Sequence, residues 1–333
     1  MVRKMIRIGT VGTSNITQKF LSAAKESKRI HYGAAYSRNM EKAKDFAQRF
    51  GADKSYDSLK EMAEDKDLDA VYIASPNFLH FEQTMLFLRA GKHVLCEKSL
   101  ASNSWEAKQM IEYANEHSLV LLEAIRPIFD PGYAAIESNI SKLGTIRQVR
   151  LCFGRYSSKY DDFLEGKSPN IFEPKCSAGA LMDMGVYCVH PLVGLFGFPK
   201  QLQSACVKLS NGIDGNGLIL GTYSDMIAEL SYSKISDSQL HSEIQGELGT
   251  MIISDISSPE DIKISYKNGK EEILEVPVCE NNMVYEAIAF ADAIENQTDT
   301  ARYHKISLLA MKLMDEVRKQ QSIIFPADTN IGK

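Results

Sequence analysis

The sequence has few of the features by which metal-binding, membrane-bound or nucleic-acid-binding proteins are recognised. Its seven histidines include no His-x-x-x-His pair and its six cysteines no C-x-x-C pair, so we expect no metal site. With 38 Lys and Arg against 43 Asp and Glu, the net charge of −5 argues against nucleic acid as a partner. No uncharged apolar run approaches the about 18 residues that a membrane span needs, and the basic N-terminus reaches a glycine turn too early for a signal peptide.

Cysteine is also too scattered for a disulfide framework. The six cysteines lie far apart in the sequence, and four of them sit in apolar surroundings. They are predicted to be free, mostly buried thiols of a protein that folds in a reducing compartment. A cytoplasmic location is therefore expected.

The first part of the chain alternates short apolar segments with segments of helical periodicity, and a chain of 333 residues is long enough for two domains. The apolar segments are residues 5–11, 30–36, 69–74, 93–96 and 119–124. Strands separated by helices cannot be hairpins, so residues 1–124 are predicted to form an α/β domain with a doubly wound parallel sheet of the Rossmann type. Its ligand is expected at the carboxyl ends of the strands.

The rest of the chain, residues 125–333, has the pattern of an α+β domain with an open, mainly antiparallel sheet. A strand at 146–154, a polar loop at 156–176 and an apolar helix at 178–196, kinked by Pro191, come first. Strand-like segments then follow one another without helices, and two helices close the chain. We expect this domain to bind substrate and to form a homodimer or homotetramer through its sheet; a terminal helix packed on the first domain is compatible with this division.

The turn after the first predicted strand is where a dinucleotide-binding fold holds the pyrophosphate, at the N-terminus of the next helix. Gly12 supplies the first position of G-x-G-x-x-G, while Ser14 and Thr17 replace the second and third glycines. This pattern alone is equally typical of an ordinary tight turn, but the N–H and hydroxyl of Ser14 can both donate to phosphate. The turn therefore gives five candidate cofactor-binding residues, Gly12, Thr13, Ser14, Asn15 and Ile16.

The end of the second predicted strand indicates which nicotinamide nucleotide is bound. NAD-binding proteins place an acidic residue there for the ribose 2′-hydroxyl, but no acidic residue lies between Ser27 and Met40. The strand ends instead at Ser37 and Arg38, whose hydroxyl and guanidinium can bind a 2′-phosphate. We therefore predict NADP in preference to NAD; the alternative for Arg38 is a solvated surface side chain.

Two later segments carry longer motifs. One contains a P-N-x-x-H turn at residues 76–80 and then Gly-Lys-His-Val-Leu-Cys-Glu-Lys-Ser at residues 91–99; the other reads Gly-Ala-Leu-Met-Asp-Met-Gly-Val-Tyr at residues 179–187. They resemble the glucose–fructose oxidoreductase / inositol dehydrogenase (Gfo/Idh/MocA) family across nearly the whole chain. Ser99 stands where that family has a proline, often preceded by a cis peptide. Because a cis bond before another residue costs ~3 kcal/mol, we expect a trans peptide here.

The resemblance assigns roles to residues that suit hydride transfer between a secondary alcohol and nicotinamide. It makes Tyr187 the general acid/base, Lys98 its polarising partner and Asp183 the residue that orients substrate. His190 is the alternative acid/base, although it also fits a hydrogen-bonded structural histidine. Asp183, Tyr187 and His190 follow a helical spacing that would place them on one face.

Further cofactor-binding residues are expected at the ends of the third to fifth predicted strands. His80 could touch the nicotinamide or only hold its loop, and Arg126 could meet cofactor or substrate or bridge the domains. The full set is Ser75, Pro76, Asn77, His80, Glu97, Lys98 and Arg126.

The resemblance, together with the NADP preference indicated by Ser37 and Arg38, implies an NADP-dependent oxidoreductase that acts on a sugar, polyol or cyclic diol. The Asp-x-x-x-Tyr pair is most similar to the dihydrodiol and xylose dehydrogenases of the family. Two alternatives remain, a lyase or glycosidase that retains its NAD, and a non-catalytic NADP-binding sensor. A methyltransferase is disfavoured, because it normally has an acidic residue where this chain has Arg38.

Overall fold

The computed structural model describes residues 5–330, and the chain divides into two compact units. The first unit contains the residues up to Ala124 together with Glu280–Lys305. The second contains Ile125–Cys279 and the residues from Ile306 onward.

The first unit is built on a six-stranded parallel sheet. Its strands are β1 (Ile6–Val11), β2 (Ile30–Tyr36), β3 (Lys54–Tyr56), β4 (Ala70–Ile73), β5 (His93–Glu97) and β6 (Leu121–Ala124). They pair in the order β3-β2-β1-β4-β5-β6, and every neighbouring pair is parallel. The strand order reverses between β1 and β4, which is where such sheets bind their ligands. The predicted Rossmann-type fold is confirmed.

Local sequence signals mark where the helices between these strands begin and end. The first five are α1 (Asn15–Ser27), α2 (Met40–Phe50), α3 (Leu59–Glu64), α4 (His80–Arg89) and α5 (Ser104–Glu116). Asn39 caps α2 by accepting a hydrogen bond from the Lys42 N–H, and Gly51 ends it in a left-handed conformation. The side chains of Ala43, Phe46 and Ala47 form its buried face.

The second unit contains an eight-stranded sheet. Its strands are β7 (Ile146–Gly154), β8 (Gln201–Lys208), β9 (Asp214–Thr222), β10 (Ile227–Ser233), β11 (Ser242–Gly246), β12 (Gly249–Ile253), β13 (Ile262–Tyr266) and β14 (Glu271–Leu274). They pair in the order β14-β13-β12-β11-β7-β10-β9-β8, and only β7 and β10 are parallel neighbours. The predicted, mainly antiparallel sheet is therefore confirmed.

Some apolar side chains of this sheet remain exposed. Val207 on β8, Leu218 and Leu220 on β9, and Ile227 at the start of β10 are each more than one-third exposed. Their exposure is compatible with a contact between copies of the chain, and the homo-oligomer stays a prediction.

The helices of the second unit differ in detail from the predicted ones. They are α6 (Arg126–Phe129), α7 (Pro131–Asn139), α8 (Tyr160–Leu164) and α9 (Val186–Phe196). The predicted helix at 178–196 begins as a π-helical turn, Leu181–Gly185, and continues as α9, which contains Pro191. The longer stretch Pro174–Phe196 has the length and composition of a membrane span, but it is mostly buried inside the protein, as a core helix is.

Two long helices complete the chain. Helix α10 (Met283–Asn296) packs against α1 in the first unit, where Arg29 Nη2 lies 2.7 Å from Glu295 Oε2. Helix α11 (Ala301–Gln320) follows. The first of these helices belongs to the same compact unit as the Rossmann-type sheet although it lies about 160 residues beyond β6 in the sequence.

Candidate active site

The turn between β1 and α1 has the geometry of an anion-binding helix N-terminus. Gly12 has a φ of +114°, and a Cβ added there would lie 2.7 Å from the carbonyl oxygen of Ala74, so a side chain is excluded. Ser14 occupies the N-cap of α1 with an extended backbone and no side-chain cap bond, and the first turn of α1 has no acidic residue. The first N–H groups of α1 can therefore receive the pyrophosphate of a dinucleotide. Thr13, Asn15 and Ile16 complete this turn.

The end of β2 presents a cationic side chain to solvent. Arg38 is exposed and, among residues 5–330, forms no ion pair. Ser37 lies beside it and is half-buried, and its Oγ accepts a hydrogen bond from the Asn39 N–H at 3.3 Å. A free guanidinium next to a hydroxyl is suited to a phosphate monoester such as the 2′-phosphate of NADP.

A cavity lies next to the turn between β1 and α1. It has a volume of about 450 Å³ and is lined by Thr13 and by residues of α2. The lining residues on α2 are Glu41, Lys42, Asp45, Phe46 and Arg49. Of the predicted cofactor-binding residues, only Thr13 lines this cavity.

His80 holds together the segments that follow β4 and β5. Its Nδ1 lies 2.9 Å from the Ser99 carbonyl oxygen and its Nε2 lies 2.8 Å from that of Ser75. The ring is fully buried, and this burial lowers the pKa of His80. Of its two predicted roles, the geometry fits that of holding the loop.

The peptide bond between Lys98 and Ser99 is cis, so the expectation of a trans bond is wrong. Tertiary contacts hold the chain directly after this bond. The Ser99 carbonyl contacts His80, and the Leu100 N–H donates to Glu123 Oε1 at 3.0 Å.

Glu97 anchors the backbone at the end of β5. Its Oε1 accepts a hydrogen bond from the Tyr72 hydroxyl, and its Oε2 accepts one from the Lys98 N–H at 3.2 Å. Lys98 itself is half-buried at the carboxyl edge of the sheet. At the end of β4, the Ser75 hydroxyl donates to Gln83 Oε1 at 2.7 Å, and Pro76 and Asn77 lead into α4. The predicted residues that follow β4 and β5 therefore lie at one edge of the sheet.

In the second unit, Arg126 lies against Tyr187. The Arg126 Nη2 is 3.4 Å from the Tyr187 hydroxyl, and the guanidinium carbon is 5.6 Å from the centre of its ring. Phe153 also packs against the Tyr187 ring, with 4.9 Å between the two ring centres. Arg126, which the sequence pattern assigned to cofactor binding, thus has the candidate acid/base as its neighbour.

Asp183 and His190 have different surroundings on the same helical stretch. Asp183 lies in the π-helical turn, partly exposed, with its Oδ2 3.2 Å from Lys234 Nζ. His190 is fully buried in α9, and its Nδ1 lies 3.1 Å from the Val186 carbonyl oxygen. This environment fits the structural role for His190 and leaves Tyr187 as the candidate acid/base.

Two functional candidates were missed because they are remote in sequence. Lys234 follows β10 and Asp214 begins β9, and both are buried near the π-helical turn. Asp214 Oδ2 accepts a hydrogen bond from the Leu181 N–H at 2.6 Å. A Cβ on Gly179 would lie 2.2 Å from Asp214 Oδ1, which explains the glycine that begins the motif. Only the paired strands bring these groups together, so no local pattern signals them.

Asp214 should make the protein less stable as the pH rises from about 4 to about 6. Burial raises the pKa of its carboxyl group to about 6 from the ordinary value of 3.8. The folded protein therefore retains a proton that the unfolded chain releases, and the corresponding stabilisation, at most about 3 kcal/mol, is complete below pH 4 and lost above pH 6. Asp214→Asn should remove this dependence, measured by urea unfolding across the range. Parallel curves for wild type and variant would contradict it, and Asp45→Asn on the exposed face of α2 is the control.

Across residues 5–330, no three His, Cys, Asp or Glu side chains form a group that could hold a metal ion.

Known proteins resemble this chain over both units. Residues 6–124 match the family model described as "Oxidoreductase family, NAD-binding Rossmann fold", and residues 136–252 match "GFO/IDH/MocA C-terminal domain". The scyllo-inositol 2-dehydrogenase (NADP(+)) of Bacillus subtilis (strain 168) is 43% identical over 326 residues, which cover 97% of this chain and 99% of the relative. The trans-1,2-dihydrobenzene-1,2-diol dehydrogenase of Danio rerio is 28% identical and covers 97% and 99%.

Solved structures share the fold. A 3-ketoreductase from Actinomadura kijaniata, in complex with NADP and TDP-benzene, superposes with a TM-score of 0.84 at 24% identity. The match covers 95% of this chain and 98% of that one.

Proposed function

The chain belongs to the GFO/IDH/MocA family of oxidoreductases, as its motifs indicated, and on that premise we propose that it is an NADP-dependent dehydrogenase of a sugar, polyol or cyclic diol. The observation that carries the proposal is the pair formed by the Tyr187 phenol and the Arg126 guanidinium in the second unit. The names of the relatives, an inositol dehydrogenase and a dihydrodiol dehydrogenase, support the same substrate class.

The reaction separates the two hydrogens of a secondary alcohol. The carbon-bound hydrogen leaves as hydride, the hydroxyl hydrogen leaves as a proton, and the product is a ketone. NADP, when bound, supplies the hydride acceptor. In the reverse direction, the Tyr187 hydroxyl donates its proton to the ketone oxygen, and the guanidinium of Arg126 stabilises the phenolate that remains.

Lys98 and Asp183 handle the substrate oxygens. The backbone at Lys98 is anchored by Glu97 and by the contact of His80 with Ser99. The Lys98 ammonium donates to the reacting oxygen and stabilises its negative charge. The Asp183 carboxylate accepts hydrogen bonds from neighbouring hydroxyl groups, which a polyol or diol has and a simple alcohol lacks.

Arg38→Ala should weaken NADPH binding about 10- to 100-fold and leave NADH binding unchanged, because only NADPH has the 2′-phosphate that the guanidinium would bind. The measurement is a fluorescence titration of each nucleotide. Arg89→Ala is the matched control, since Arg89 is exposed at the C-terminal end of α4, at the opposite edge of the sheet. Equal effects on both nucleotides, or tighter binding of NADH than NADPH by the wild type, would refute the NADP assignment.

The substrate class is tested by absorbance at the wavelength at which reduced nicotinamide absorbs. We expect NADP-dependent turnover with scyllo-inositol or with a related sugar or cyclic diol. A substrate that is consumed without net nicotinamide turnover would indicate the lyase or glycosidase alternative. Binding of NADPH without turnover of any of these substrates would indicate the sensor.

A further inference from the structure

Lys234 is a fully buried lysine at the end of β10. Its backbone is held on two sides, because its N–H donates to the Gly215 carbonyl at 3.0 Å and its own carbonyl accepts from the Ser157 N–H at 2.9 Å. Removing an ammonium group from water is costly, and a buried charged lysine needs partners that compensate for its lost hydration. The partners of the Lys234 ammonium therefore indicate the role of this residue.

The ammonium joins the π-helical turn to the segment that precedes it. Lys234 Nζ lies 3.2 Å from Asp183 Oδ2 and donates to the Ile171 carbonyl at 2.5 Å. It also lies 4.3 Å from the centre of the Phe172 ring, within the range of a cation–π interaction. One charged group thus contacts the candidate substrate-orienting carboxylate and the loop at residues 170–172.

The surrounding side chains restrict the loop further. Phe172 is buried and stacks with Tyr160 and Phe163 of α8, with ring centres 5.6 and 5.4 Å apart. On the other side, the ammonium interacts electrostatically with the buried carboxylate of Asp214, which binds the N–H of Leu181. Lys234 therefore contacts both the loop at residues 170–172 and the π-helical turn that carries Asp183.

We propose that Lys234 is a positioning residue, which holds the Asp183 carboxylate in the orientation that binds the hydroxyl groups of a polyol or diol substrate. This inference rests on the proposed function. Where a buried ion pair serves only stability, an apolar pair can replace it at little cost, whereas removal of one partner leaves the other uncompensated. Here the loss of Lys234 would remove a charged contact from the group that is proposed to orient the substrate.

Lys234→Met tests the proposal through the Michaelis parameters. We expect KM for the polyol to rise about 10- to 100-fold, because the orientation of Asp183 is lost, while kcat falls by less and the Kd for NADPH is unchanged. Lys234→Arg keeps the charge and should restore most of the wild-type KM. Lys263→Met is the control, because Lys263 forms an exposed ion pair with Glu271 on the same sheet.

A double-mutant cycle separates positioning from a purely structural role. In the Asp183→Asn background, Lys234→Met should change kcat/KM by less than about twofold, since the group on which it acts has been removed. An equal loss in both backgrounds would overturn the proposal. Lys234→Gln, which keeps a donor for the Ile171 carbonyl, replaces Lys234→Met in the same cycle should the methionine variant fail to fold. Inactivity of the wild type on every polyol and diol would instead refute the proposed function.

Discussion

Replacement of Lys98 by methionine should lower kcat for polyol oxidation about 10³-fold and leave NADPH binding within a few-fold of the wild-type value. Methionine has a similar length but lacks the ammonium group that donates to the reacting oxygen. The Lys98 side chain extends from a backbone segment that is fixed by the Glu97 carboxylate and by His80. The change therefore removes charge stabilisation without releasing the segment that carries it.

The measurement combines steady-state turnover with a fluorescence titration of NADPH. Lys108→Met is the matched control, because Lys108 lies exposed on α5 in an ion pair with Glu112. A kcat within about threefold of the wild-type value would contradict the role of Lys98.

Tyr187→Phe should lower kcat by about 10²- to 10⁴-fold, the range of a lost general acid or base. The ring keeps its contact with Phe153 and the cation–π interaction with Arg126, so only the proton-carrying oxygen is removed. Melting temperature and the Kd for NADPH should be unchanged. Tyr223→Phe is the control, since its hydroxyl donates to the Gly197 carbonyl elsewhere in the second unit.

His190→Asn decides between the two predicted acid/base residues. His190 is fully buried and contacts the Val186 carbonyl. Its replacement should therefore lower the melting temperature, while the folded variant should keep most of its kcat. Loss of turnover in His190→Asn, together with retained turnover in Tyr187→Phe, would reverse the assignment.

Local signals made parts of the fold predictable. The predicted apolar segment 30–36 has the bounds of β2, and Asn39 and Gly51 are local signals at the two ends of α2. Strand β3 was not predicted, since its three half-buried residues have no alternating pattern. The π-helical turn at Leu181–Gly185 was not predicted either, because an apolar run does not distinguish it from an α-helix.

The candidate site was predictable only where a motif marks it. The glycine turn after β1, Arg38 and the Tyr187 motif each have a local pattern. The neighbours of those groups depend on tertiary structure, and the polar segment at 156–176, interpreted as a loop, contains α8 and aromatic side chains that stack around Phe172. Lys234 reaches Asp183 because β10 pairs with β7 and β9, a register that composition does not reveal.

The central claim, that this protein moves hydride between a secondary alcohol and nicotinamide, is tested most directly by isotope transfer. The purified protein is incubated with NADP⁺ and scyllo-inositol that carries deuterium on carbon, and the recovered nucleotide is analysed by mass spectrometry and NMR. We predict one deuterium at C4 of the nicotinamide ring in the NADPH formed. Product that forms while the nucleotide pool remains oxidised and unlabelled would contradict the account.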